Sequence, residues 1–363
     1  MKSKIFYKMS SMVLSIATVC GAWVDGGACT GISLTAKDGS YIQARTIEWT
    51  KTPMQNKMVI IPIGKDFTSY TPSGVDGLTY TSKYGVVGLC VEDPHFIAEG
   101  LNSAGLSCGL FFFPKYGSYM PYEYKYKDIS LADLQVNEWI LTQFANVDQV
   151  IKGMESVRIT GLQEGVALHW RIGDWTGRQI VMEIVNGEVK FFENSVGVIT
   201  NAPGFEWHLS NLSNYVNLFP GTAPSWSIGN FKVEAIGGSS GMLGLPGDAT
   251  PPSRFIRAAF FRATAPVLET GEETVLQSFH LLNSFDIPLA IEHNADSVLP
   301  NMPSTTQWTS AIDLTNLKVY YHTSYNINIR CIDLNKIDFR KVKYQELPLD
   351  KENKQPIEMV EIK

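Results

Sequence analysis

No stretch of this chain is dense in lysine and arginine, and the formal net charge of its 363 residues is −6. Nucleic acid is therefore not an expected partner. Walker and dinucleotide loops are absent, and the six histidines are scattered without ligand spacing. Neither a nucleotide cofactor nor a metal is indicated, and no cofactor is expected. The five cysteines, Cys20, Cys29, Cys90, Cys108 and Cys331, include no CxxC pair. Cys90, Cys108 and Cys331 are an odd set among apolar neighbours, so small buried hydrophobe is their default reading. No Pro/Gly/Ser linker divides the chain and no internal repeat recurs. After the first residues there is no long apolar run, so no transmembrane segment is expected. What is present is an ordinary globular composition, 44% apolar.

The N-terminus reads as a secretory leader over residues 1–28. Lys2, Lys4 and Lys8 form a basic region, Met9 to Val19 is mostly apolar, and Gly26 and Ala28 sit at minus-three and minus-one of a cleavage site. Cleavage after Ala28 leaves residues 29–363 as one domain, periplasmic or secreted. Cys29 then becomes an N-terminal residue with a thiol and a free α-amine, a nucleophile with its own base. Two other readings compete. Gly27-Ala28-Cys29 fits the small-residue end of a lipid-anchoring site, although Gly26 stands where a bulky aliphatic is usual. A plain buried or disulfide cysteine is the other.

Thr30 to Ala36 and Tyr41 to Ile47 alternate like strands, and Lys37-Asp38-Gly39 between them reads as a three-residue hairpin loop with Gly39 left-handed. That loop places Gly31 opposite Arg45 and Cys29 opposite Ile47, so Arg45 is a diagonal neighbour of the thiol. A two-residue turn would send Arg45 to the other face. Further strands are expected at Met58–Pro62, Tyr84–Leu89, Leu106–Phe111, Val166–Ile172, Gln179–Val185, Val189–Phe192, Trp308–Tyr325 and Asn328–Ile332. Asn186-Gly187 marks a hairpin. Tyr116 to Lys127 reads as a long loop. Ser130 and Asp133 suggest a capping box opening a helix striped by Leu131, Leu134, Leu141 and Phe144. Other helices are expected at Val147–Met154, Ser253–Ala263 and Glu273–Leu282, and Lys336 onwards as a peripheral strand or tail. Runs of hairpins with segregated helices argue for an α+β fold built on antiparallel sheets.

A cation beside a thiol lowers its pKa, and Arg45 is so placed by the hairpin. Glu48 follows the strand, where it can anchor the α-amine or Arg45; a solvated carboxylate is the plain alternative. Asn201 ends a strand beside Pro203 with a side-chain amide able to face an oxyanion, although such an asparagine is usually a turn residue. Arg254 stands near a helix start, against the helix dipole.

Taken together, Cys29-Thr-Gly-Ile, Arg45-Thr-Ile-Glu48-Trp49, Val198-Ile-Thr-Asn201-Ala-Pro, Gly247-Asp-Ala-Thr-Pro-Pro-Ser-Arg254, Asn283-Ser-Phe-Asp286-Ile-Pro and Thr306-Gln-Trp-Thr309 resemble the choloylglycine hydrolase family of N-terminal nucleophile hydrolases. This family includes bile salt hydrolases and penicillin V acylases. The resemblance implies a four-layer αββα fold, a homo-oligomer (tetramer or dimer), and small-molecule amide substrates. It implies Cys29 as nucleophile, Arg45 beside the thiolate, Asn201 at the oxyanion and Arg254 in the pocket. Glu48 stands where the family has aspartate, and the Glu48-Trp49 pair with the leader resembles the Gram-negative branch. A second oxyanion side chain, Asn or Tyr in better-known members, falls near Phe111 or Phe112, which carry no donor. A backbone N–H is then required. Trp49, Phe67, Phe111, Phe112 and Phe113 are candidate walls of an apolar acyl pocket. A broad aromatic wall favours the steroid of a conjugated bile salt. Penicillin V, an acyl-homoserine lactone, or a non-catalytic surface lipoprotein are the alternatives.

Overall fold

The computed structural model describes residues 28–49, 56–163, 165–288, 291 and 305–362. Apart from Ala28, the expected leader lies outside the described residues. The first hairpin forms as its loop chemistry dictates. Gly39 takes a φ of +86°, and the Ala36 N–H donates to the Ser40 carbonyl at 2.9 Å. The Asp38 carboxylate accepts from the Ser40 and Gly271 N–H groups, which ties the turn to the start of a helix. Strands β1 (Cys29–Thr35) and β2 (Tyr41–Trp49) therefore pair with Gly31 opposite Arg45 and Cys29 opposite Ile47.

The chain continues through β3 (Asn56–Ile61), β4 (Asp66–Thr71), β5 (Gly74–Thr81), β6 (Val86–Val91), β7 (Ile97–Asn102), β8 (Leu106–Phe112), β9 (Ser130–Ala132) and β10 (Arg158–Thr160). It goes on through β11 (Leu168–Asp174), β12 (Gln179–Val185), β13 (Glu188–Glu193), β14 (Val198–Ile199), β15 (Trp226–Ile228) and β16 (Phe231–Val233). Last come β17 (Thr305–Asp313), β18 (Lys318–Thr323), β19 (Asn326–Asp333) and β20 (Gln345–Pro348). One sheet has the order β14-β1-β2-β17-β18-β19, and the other β13-β12-β11-β8-β7-β6-β3-β20. Neighbours in both are antiparallel.

Helices Pro251–Thr264 and Gly271–Leu282 pack on the first sheet against β1, β2, β14 and β17, and helix Val136–Gln143 packs on the second against β7 and β8. The inner faces meet, since Arg45 of β2 reaches carbonyls of β7 and β8. The result is four layers, αββα. Central strands such as β8 are buried on both faces and so read as near-continuous apolar runs.

The capping box at Ser130 is not formed. Ser130 lies in β9, which pairs in parallel with β10, and its hydroxyl donates to the Tyr126 carbonyl. The buried Asp133 accepts from Leu134 and, across the chain, from Leu162, so the helix starts only at Val136. Leu131 is thus a strand residue. The capping box that does form is Thr270 with Glu273. The expected Tyr-rich loop ends in a 3₁₀ turn at Tyr124–Ile129, and helix Phe205–Leu212 was not foreseen.

Candidate active site

Cys29 opens β1 and is 4% exposed. Its backbone N–H donates to Asn201 Oδ1 at 2.9 Å. Its carbonyl accepts from Arg254 Nη1, which also donates to Thr30 Oγ1 at 2.9 Å. Arg254 Nη2 donates to Asn201 Oδ1 at 2.7 Å, and Arg254 Nε to the Ala249 carbonyl at 2.7 Å. Asn201 Nδ2 donates to the Phe112 carbonyl at 2.8 Å. Cys29, Phe112, Asn201 and Arg254, far apart in sequence, thereby belong to one hydrogen-bonded cluster. Arg254 is delivered from the first turn of its helix, with Pro251 and Pro252 opening that helix. Proline fits there because the first helical N–H groups have no intrahelical acceptor.

The segment carrying Asn201, just past β14, is held by two buried histidines that sequence reasoning missed. His208 Nε2 donates to the Asn201 carbonyl at 2.9 Å, and His169 Nε2 lies 3.1 Å from the Thr200 carbonyl. Burial pushes the His208 pKa down to about 4, so its ring is neutral near pH 7. Its ring stacks on Phe255.

Arg45 is fully buried between the sheets. Its Nε donates to the Thr46 carbonyl and its Nη1 to those of Ala98 and Leu110. The guanidinium lies 4.1 Å from the centre of the Phe111 ring. Burial raises the Cys29 thiol above its ordinary pKa; Arg45 is the strongest influence pulling it down, Glu48 pushes it up, and the Glu48 backbone N–H and Arg254 pull it down. An adjacent proton acceptor is therefore needed for the thiol to attack near neutral pH.

Glu48 is buried beside this cluster, and its Oε1 accepts from Thr306 Oγ1 at 2.9 Å. Burial pushes its pKa up to about 8, against the pull of Arg254 first and then of hydrogen bonds and Arg45. An unfolded glutamate titrates near ~4.3. Between those two values the folded chain holds a proton that the unfolded chain has released, so stability falls as pH rises through that window. Glu48→Gln is expected to flatten that fall. Urea midpoints from pH 5 to 8 test this, and parallel profiles for both proteins would refute it. Asp133, raised to about 7 by burial, acts with the same sign and remains in the variant.

The aromatic candidates separate. Phe111 and Phe113 are fully buried. Phe111 lies under Arg45, and Phe113 stacks on His169 at 4.4 Å. They are core, not open pocket wall: β8, which holds Phe111 and leads directly into Phe113, is central to its sheet and covered on both faces. Phe112 contributes its carbonyl to Asn201. Phe67 stacks on Tyr80 and meets His95 edge-on in the β4–β5 hairpin region. Trp49 ends β2 opposite Thr305, and its side chain lies outside the described residues. Arg171 and Glu99 were also missed. Each is a charge inside a fully buried strand, which is the signal that marks them.

Among the described residues no group of three or more His, Cys, Asp or Glu side chains is placed to hold a metal. Likewise no described helix is long and apolar enough to cross a membrane. Cys29, Cys90, Cys108 and Cys331 are all free thiols.

The profile of the linear amide C–N hydrolases, choloylglycine hydrolase family, matches residues 29–350. A bile salt hydrolase/transferase of Clostridium perfringens is 32% identical over 316 residues, covering 85% of this chain and 93% of the relative. A penicillin V acylase of Pectobacterium atrosepticum is 24% identical over 340 residues, covering 86% and 82%. Among solved structures, a mutant of the conjugated bile acid hydrolase from Clostridium perfringens superposes with a TM-score of 0.78 at 29% identity, over 92% of this chain and 100% of that one.

Proposed function

The chain belongs to the choloylglycine hydrolase family of linear amide C–N hydrolases, and from that premise we propose that it hydrolyses conjugated bile salts with Cys29 as an N-terminal nucleophile. The observation that carries this is the placement of Cys29: its nitrogen is held by Asn201 and its carbonyl by Arg254, at the residue where the family match begins.

Removal of residues 1–28 turns the Cys29 amide nitrogen into an α-amine, which Asn201 Oδ1 orients. The amine takes the thiol proton, and the sulfur attacks the amide carbon of the substrate. The carbonyl oxygen becomes an oxyanion. One N–H of Asn201 Nδ2 is fixed on the Phe112 carbonyl, which aligns the amide so that the other N–H faces that oxygen. The C–N bond then breaks, the α-ammonium returns the proton to the leaving glycine or taurine nitrogen, and a thioester remains. Water, deprotonated by the amine, attacks the thioester and releases the acid and the thiol. Arg45 supplies the positive charge that pulls hardest on the sulfur. Phe112 carries no side-chain donor, so the second oxyanion contact is assigned to a backbone N–H.

The bile salt reading is supported by relatives named bile salt hydrolase/transferase at 28–32% identity. Penicillin V is the second reading, supported by the Pectobacterium relative. Turnover of glycocholate, taurocholate, penicillin V and an acyl-homoserine lactone, compared as kcat/KM, decides between them. The conjugated bile salts are expected to lead, and a clear preference for penicillin V overturns the substrate choice alone.

We place the mature chain in the periplasm or outside the cell, beginning at Cys29. Mass spectrometry of the purified protein tests the start, and a lipid on Cys29 with detergent partitioning would instead favour the anchored, non-catalytic reading. Assembly as a homo-oligomer is supported by the exposed apolar residues Trp226, Ile228, Phe231 and Ile236 around the β15–β16 hairpin.

A further inference from the structure

Arg45 does not stand alone behind the thiol. Its Nη1 lies 3.7 Å from Glu99 Oε2, and Glu99 Oε1 lies 3.0 Å from Arg171 Nη2. All three side chains are fully buried. Glu99 on β7 and Arg171 on β11 both sit opposite Gly109 of the intervening β8. That glycine is what lets the carboxylate cross, since a Cβ there would stand 2.1 Å from Glu99 Oε2. On the facing sheet Gly31 does the same for Arg171, whose Nη1 would lie 2.9 Å from an added Cβ. Arg171 Nη1 also donates to the Ile32 and Ala44 carbonyls at 3.1 and 3.0 Å. It therefore grips the two strands that carry Cys29 and Arg45. Arg45 Nη2 is buried without a hydrogen-bond partner among the described residues.

We propose that Glu99 and Arg171 are positioning residues for the Cys29 thiol: acting through Arg45, they set where its guanidinium sits and how much of its positive charge reaches the sulfur. The charge arrangement gives the reason. Glu99 alone would draw Arg45 toward the second sheet and offset its charge. Arg171 on the far side of Glu99 offsets that pull, so the row arginine–carboxylate–arginine keeps net positive charge at the foot of the thiol. The remaining charged groups at the thiol are Glu48 from β2, itself within the field of Arg45, and Arg254 from its helix.

The inference rests on Cys29 being the nucleophile, but its readout is the thiol itself. The mature protein is alkylated with iodoacetamide across pH, and modification of Cys29 is followed by peptide mass mapping because Cys331 is exposed. Arg171→Met leaves Glu99 facing Arg45 alone. It is expected to raise the pH midpoint and to slow alkylation at pH 7 by roughly three- to tenfold. Glu99→Gln keeps the shape and removes the anion, so it is expected to lower the midpoint and to speed alkylation by a similar factor. The double variant is expected to return near the wild-type midpoint. A purely structural role predicts lower stability for each variant without opposite shifts. Equal midpoints, or shifts in one direction for both single variants, overturn the proposal. Should Arg171→Met fail to fold, Arg171→Lys serves: its ammonium lacks the fork to hold two strands and Glu99 together, so a smaller rise is expected, and an unchanged midpoint in the folded variant is equally fatal. A wild-type Cys29 that never alkylates refutes the nucleophile as well. A titrating Cys29 indifferent to Glu99 and Arg171 refutes this inference alone.

Discussion

Cys29→Ser is expected to fold as the wild type and to lose turnover of conjugated bile salts by roughly 10³-fold or more, the scale on which loss of a nucleophile acts. The exchange replaces sulfur by a smaller oxygen in a buried site, and it leaves the Asn201 and Arg254 bonds to the backbone of residue 29 untouched. Thermal midpoint and circular dichroism should therefore change little. The chemistry changes much more. Burial already raises the Cys29 thiol, so proton removal is the demanding part of the attack. A hydroxyl is far less acidic than a thiol, and the α-amine is no stronger a base in the variant. The mature N-terminus of the variant must be confirmed by mass spectrometry, since an unprocessed chain would lack the amine as well. A correctly processed variant that keeps activity within tenfold of wild type would rule out the thiol mechanism.

The parts of this site that were legible in the sequence are those set by local backbone chemistry. Lys37-Asp38-Gly39 determines the loop length, the loop length determines the register, and the register puts Arg45 diagonal to Cys29, as the structure has it. Asn186 and Gly187, both at positive φ, join β12 to β13 for the same local reason. The other half of the site comes from contacts between distant segments. Cys29 meets Asn201 across 172 residues and Arg254 across 225, and no spacing rule reaches that far. Only the family resemblance brought those positions together. The burial of Phe111 and Phe113 was hidden for a different reason. In a strand buried on both faces, period-two alternation disappears, so Phe111 and Phe113 gave no sign of pointing into core. The charges of Glu99 and Arg171 were visible next to apolar neighbours, but their pairing across Gly109 depends on strand order within the second sheet, which the hairpin signals alone do not determine. At Ser130 a local rule misled, because a tertiary strand pairing outweighed the capping signal.

Asn201 carries the second large expected effect, and two substitutions there separate its roles. Its Oδ1 accepts from the Cys29 nitrogen and from Arg254, while its Nδ2 donates to the Phe112 carbonyl. Asn201→Ala removes all three bonds and is expected to lower kcat by about 10²–10³-fold, the usual consequence of losing an oxyanion donor. By itself that loss does not say whether the residue orients Cys29 or stabilises the oxyanion. Asn201→Asp does. A carboxylate keeps both accepted bonds, and its charge strengthens them, so the residue 29 nitrogen and Arg254 stay in place. It has no N–H for the oxyanion and sets a negative charge beside it. If donation is the catalytic role, the aspartate variant falls at least as far in kcat as the alanine variant. Cys29 alkylation should then persist in the aspartate variant, because the thiol and its surrounding backbone are still assembled. An aspartate variant with near wild-type kcat would refute the oxyanion assignment and leave Asn201 as an anchor for the N-terminus.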